Sequence, residues 1–273
     1  SLVGSEMCIR DRKEVRSNMI WFLALILFVL LITVGGERGA SAVLALCGNI
    51  GVLALTVILL ASGKPPLLII PVSAVLISYL TLMKQNGSNL KTKTAFLTVA
   101  VVMAVLSVGI CVGVWKTGSA GLNEIQAVQE DVQFYYTTDL AISMQQVAVG
   151  VVLLSALGAV MDTALSVTSA VYEVAVHRKD LDRSAYFRSG IEVGKEIIGT
   201  TVNTLVFAYL GESLMLFAYL EKNGYSPEMM LNSKVLFQNI AVMLLGIIAC
   251  LLTVPVAAYL VAWKVGQKGE EDK

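Results

Sequence analysis

Seven stretches of mostly apolar residues fill most of this chain: 18–35, 39–61, 66–83, 94–115, 146–172, 197–220 and 235–262. Each is close to the length, about 20 residues, that a helix needs to cross the hydrocarbon of a bilayer. No other feature narrows the fold as much. A backbone in hydrocarbon has no water to bond, so a spanning segment must satisfy its own N–H and C=O groups, as a helix does. The turn-forming clusters GGERG, SGKPP, KQNGSNLKTK, KTGSAG and EKNGYSP separate the runs. The expectation is an all-α polytopic membrane protein with about seven transmembrane helices. Composition agrees: 56% of residues are hydrophobic and 15% charged, whereas soluble domains carry about 25% charged residues.

The chain divides simply. Its first dozen residues, SLVGSEMCIRDR, resemble translated adapter sequence found at the ends of metagenomic gene models, and residues 1–12 are set aside as non-native. Residues 13–265 read as a single transmembrane helical domain, and 266–273 as a short polar tail. Lysine and arginine gather in the loops around 84–93 and 178–188 and at the C-terminal end. The positive-inside rule therefore places the N-terminus outside and the C-terminus in the cytoplasm. Lys13 and Arg16 pull the other way. Segment 121–140 sets Leu122, Ile125, Val128 and Val132 on one helical face, with Tyr135 and Tyr136 suited to the interface, so an amphipathic surface helix is expected there.

Several function classes find no support. Net charge is zero, which speaks against a general nucleic-acid binder. Cys8, Cys47, Cys111 and Cys250 lie far apart without CxxC spacing, and His177 has no neighbouring His or Cys. Neither a metal site nor a disulfide framework is expected, and no cofactor. No Walker loop, Ser–His–Asp set, HExxH or dinucleotide fingerprint occurs, so the chain does not read as an enzyme.

The informative residues are polar ones inside apolar runs. In GVVLLSALGAVMDTALSVTSAVYEV, Asp162, Ser166, Ser169 and Glu173 share one helical face at i, i+4, i+7 and i+11. Thr163 adjoins Asp162 in sequence. In the following span, Glu192, Glu196, Thr200 and Asn203 repeat the pattern, with Thr201 beside them. Gly158, Gly194 and Gly199 permit close helix approach, as do Gly109 and Gly113 in GICVG of the fourth span. Pro71 and Pro255 lie within spans, where they favour kinks. A charged carboxylate near the bilayer centre costs about 3 kcal/mol on insertion scales, so Asp162 requires a partner or a task. Two readings stand: a packed polar seam in which Asp162 bonds Thr201 or Asn203, or a proton or cation relay along the stripe. Lys195 can pair with the stripe at its inner end, near Glu173 and Glu196.

GAVMDTALSVTSAVYEV, SGIEVGKEIIGTTVNTLVFAYLGESL and LLTVPVAAYL resemble the YibE/F family of bacterial multipass membrane proteins, in its shorter YibF-type form, over residues 18–263. The resemblance implies a protein of the bacterial plasma membrane, often encoded beside a YibE-type relative. It implies no substrate. More distantly, Gly158, Asp162 and Thr163, the basic loop and TTVNTL are similar to the fourth and fifth helices of RND-type permeases such as the SecD/SecF pair. That likeness implies an RND-like six-helix core plus one N-terminal helix, and protons carried by the aspartate. The chain lacks the large external domain that such permeases insert after this core's first span. A transporter subunit coupled to protons or cations is thus the first reading, and a non-transporting scaffold or assembly subunit for a YibE-type partner the second.

Overall fold

The computed structural model describes residues 2–117, 144–178 and 181–271. The expected surface helix at 121–140 lies outside the described residues. Every regular element among the described residues is helical: α1 (Leu2–Ala61), α2 (Pro66–Tyr79) running into a π-helical turn (Leu80–Lys84), α3 (Leu90–Thr117), α4 (Met144–His177), α5 (Arg183–Lys222), the short α6 (Pro227–Asn232) and α7 (Lys234–Glu271). Long apolar stretches cover Met19–Ala61, Pro66–Lys84, Leu90–Val112, Val149–His177, Arg183–Lys222 and Leu236–Gln267. The first of these is long enough for two spans.

Its division falls at GGERG. Gly36 leaves helical geometry at φ 56°, ψ −133°, a region that only glycine enters without strain. The bend is sharp enough that a Cβ on Gly39 would collide with the carbonyl oxygen of Leu31. In an unbroken helix those two residues would stand about 12 Å apart. The chain therefore bends into two arms, 19–35 and 37–61, so the described residues hold six or seven helices long and apolar enough to span a membrane.

Other boundaries follow local chemistry. Pro66 opens α2 at its first turn, where its missing N–H costs nothing. Asp182 caps α5, its Oδ1 accepting from the Ala185 N–H at 2.8 Å. Ser226 caps α6 by accepting from the Met229 N–H. The π-helical turn had no sequence forewarning. The Gln85 N–H reaches back to the Leu80 carbonyl at 3.2 Å, while Thr81 accepts from Asn49 Nδ2 at 2.9 Å. Asn86 Nδ2 donates to the Thr81 carbonyl. Asn49 Oδ1, buried beside this turn, has no partner among the described residues.

Helix α4 is the axis of the bundle, packing against α2, α3, α5 and α7. Val152, Ala156, Val160, Ala164, Val167 and Val171 make its fully covered face. Helices gain no hydrophobic free energy by leaving lipid for each other, so close van der Waals fit between small side chains has to hold them. Such contacts are densest between α5 and α7. A Cβ on Gly190 would come within 2.7 Å of the Ala258 Cβ, and one on Gly194 would overlap Val254. Val171, Ala175, Tyr186, Val261 and Ala262 continue this packing at the ends of α4, α5 and α7. An apolar cavity of about 190 Å³ lies among α2, α3 and α4, lined by Pro71, Phe96, Met103 and Leu157.

Candidate functional site

Helix α4 has two unlike faces. Opposite its covered valine–alanine face run Ser155, Gly158, Asp162 and Ser166, all exposed on the isolated chain. Among the described residues, no hydrogen bond or ion pair joins the Asp162 carboxylate. Thr163, one residue on, is turned into the bundle: its side chain is buried and its hydroxyl donates to the Ala159 carbonyl at 2.8 Å. Cys250, buried on α7, lies near both Thr163 and Asp162. Ser169 is half-buried and Glu173 exposed; the Glu173 carbonyl receives His177 Nδ1 at 2.9 Å.

Helix α5 runs antiparallel to α4. Gly190 lies against Val171, and Ser155, whose hydroxyl donates to the Val151 carbonyl at 2.7 Å, lies on the level of Tyr209. Asp162 stands between those two levels, opposite the stretch that holds Thr200 and Thr201. The α5 residues turn elsewhere. Glu196, Thr200 and Asn203 are exposed and Thr201 is half-buried. Thr200 spends its hydroxyl on the Ile197 carbonyl at 2.9 Å. The structure does not close Asp162 against Thr201 or Asn203 within one chain. Lys195 pairs with Glu192 at 2.8 Å, an exposed contact, rather than with Glu173 or Glu196. Of the glycines, Gly194 packs on α7, whereas Gly158, Gly199 and Gly109 meet nothing within 4 Å. Gly113 lies within α3.

Sequence reasoning missed three polar groups on this side of the bundle. Tyr209 is half-buried on α5, near Ser155 of α4 and Cys250 of α7. Glu212 is exposed on α5, and Cys250 is buried on α7. The signal was present in TLVFAYLGESL, where a tyrosine and a glutamate recur at i and i+3 inside an apolar run; the hydropathy of the run concealed it. Among the described residues, no group of three His, Cys, Asp or Glu side chains converges as a metal site would require. The chemistry available is that of hydroxyls, a thiol and carboxylates, groups that exchange protons or coordinate small cations.

The profile of the YibE/F-like protein family matches residues 23–267, which include most of the first arm of α1, all of the second, and the polar residues named on α4, α5 and α7. The chain belongs to the YibE/F-like family. Comparison with curated proteins and with solved structures gives no match. This YibE/F-like chain is thus a multispan helical membrane protein, which leaves polar residues exposed along α4 and the far half of α5.

Proposed function

We propose that the protein is a subunit of a bacterial plasma-membrane transporter, coupled to protons or cations through Asp162, with its N-terminus outside and its C-terminus in the cytoplasm. One observation carries this reading. Asp162 sits on an open face of α4, with no bond to it among the described residues, between Ser155 and Ser166 on the same face. A carboxylate held only for structure would be enclosed and bonded, since an unpaired polar group in hydrocarbon is costly. Transport fits better than catalysis, because no nucleophile–base pair accompanies the carboxylate among the described residues. The covering surface would come from a second subunit, and a YibE-type homologue is the natural partner.

The decisive comparison is Asp162→Asn against Asp162→Glu in a deletion strain, at expression matched by membrane blot. Asn keeps the volume and hydrogen-bonding capacity but cannot release a charge. Loss of complementation with Asn, and partial activity with Glu, is the expected outcome. Full complementation by Asn would leave the scaffold reading, which the same uncovered polar face favours. Gentle purification of the tagged chain from its native host should recover the YibE-type relative. Labelling of Ser184→Cys but not Tyr136→Cys from outside the cell would reverse the orientation.

A further inference from the structure

Helices α2 and α3 both pack on α4 but scarcely meet each other. Toward the loop that joins them, Tyr79 stands edge-on to Phe96, with ring centroids 6.4 Å apart. Beyond that contact a cleft remains. Its side walls are small residues at helical spacing: Pro71, Ala74 and Ser78 on α2, and Ala100, Ala104 and Ser107 on α3. Small residues ordinarily let two membrane helices close on each other; here they hollow out about 190 Å³ instead. The floor is buried and apolar, made by Val99, Met103, Leu153 and Leu157. Both serines are spent on their own helices, donating to the Ala74 and Met103 carbonyls at 2.7 Å. The mouth lies at Val75 and Ala104, which line the cleft and are exposed among the described residues. Val75 is midway along the apolar stretch Pro66–Lys84, so the mouth opens deep in the hydrocarbon.

We infer that this cleft holds the end of a phospholipid acyl chain drawn from the surrounding bilayer. Water is unsuited to it, because a cavity water needs two to four polar partners and the lining presents almost only carbon. Left empty, the cleft would strip its walls of dispersion contacts. A partner helix is about 10 Å across, too thick for a cleft whose closed end spans one edge-on ring contact. An apolar cavity of about 150 Å³ admits benzene, so one of about 190 Å³ admits a slightly longer piece of hydrocarbon. Acyl chains end near the bilayer centre, where the mouth lies, and a slim flexible chain can thread between Val75 and Ala104. The guest fills the wedge and holds α2 and α3 apart. It touches the covered side of α4, through Leu153 and Leu157, so this inference does not depend on the reading of Asp162.

The test reconstitutes the full chain in phosphatidylcholine vesicles carrying a small share of a phospholipid with a diazirine near the methyl end of one acyl chain. After irradiation, mass spectrometry of the digested protein maps the adducts. Met103 and Leu157, both buried, should be labelled alongside Val101 and Val108, which are exposed on α3. Ala104→Phe plugs the mouth, and should lose the adducts at Met103 and Leu157 while keeping those at Val101 and Val108. Val75→Phe repeats the plug from the opposite rim, so a folding failure in one variant does not decide the matter. Label on Val101 and Val108 with none on Met103 and Leu157 in the unsubstituted chain overturns the inference, whether the cleft is then empty or filled by protein. Undiminished label at Met103 and Leu157 in either plugged variant, with elution and helix content unchanged, overturns it as well.

Discussion

Two regions of the molecule lie uncovered, and they are made of different stuff. The first arm of α1, residues 19–35, is exposed from Met19 through Val34 except at half-buried Ala24, Phe28 and Leu31, and carries almost wholly apolar side chains. The far half of α5 is nearly as bare, with only Ser213 and Leu220 buried, yet it sets Gly199, Thr200, Asn203, Thr204, Gly211 and Glu212 among its apolar residues. Lipid is a sufficient neighbour for the arm. It is a poor one for α5, whose polar groups want a protein surface or water. Equal exposure therefore has opposite meanings: the arm is finished as it stands, and the α4–α5 face is half of something.

The strongest way to break this contrast is to charge the arm. Leu27→Arg should cost about 3 kcal/mol of insertion free energy, read as the inserted fraction in a microsomal assay. Normal insertion would mean that protein, not lipid, covers the arm. Next comes the anchor that makes the exposure of α5 credible. Gly194→Leu, forced against Val254, should destabilise by about 2 kcal/mol in thermal unfolding of the purified protein. Gly199→Leu, with open space around it, should be near neutral. Equal losses at both positions would show that the far half of α5 is packed as well. Asn203→Leu should weaken a purified two-subunit complex by about 1 kcal/mol while slightly stabilising the isolated chain. Stabilisation of both would give the face back to lipid. Lys195→Ala removes an ion pair whose side chains are 63% and 64% exposed, and its effect on unfolding should stay below about 0.5 kcal/mol.

The spans were legible because hydrocarbon imposes one solution on long apolar runs, and GGERG marked the bend because a glycine was there to take Gly36's backbone angles. The helical period also showed that Asp162 and Ser166 share a face. It could not show who stands opposite them. Periodicity orders residues around one axis, whereas the rotation of α5 is fixed by Gly190 and Gly194 fitting against α7, two chain segments far apart in sequence. That is why Asp162 was expected against Thr201 and Asn203 and instead faces outward. The π-helical turn was hidden for a similar reason: it depends on Thr81 meeting Asn49 from another helix. Tyr209 and Glu212 were readable in principle, and were passed over because their neighbours made the run look uniformly apolar.

The length of α5 has a mechanical consequence. Its 40 residues make a rod of about 60 Å, roughly twice the thickness of the hydrocarbon. With the exposed polar stretch placed in the membrane, the Arg183 end must stand clear of it, bundled with the ends of α4 and α7 around Tyr186, whose hydroxyl is tied to the Arg178 carbonyl at 2.7 Å. A rod gripped tightly near one end, and buried along its far half only at Ser213 and Leu220, is a lever. Gly190 and Gly194 are its fulcrum, and a small tilt imposed on the protruding post would swing Tyr209 and Glu212 through a wider arc at the opposite face of the bilayer.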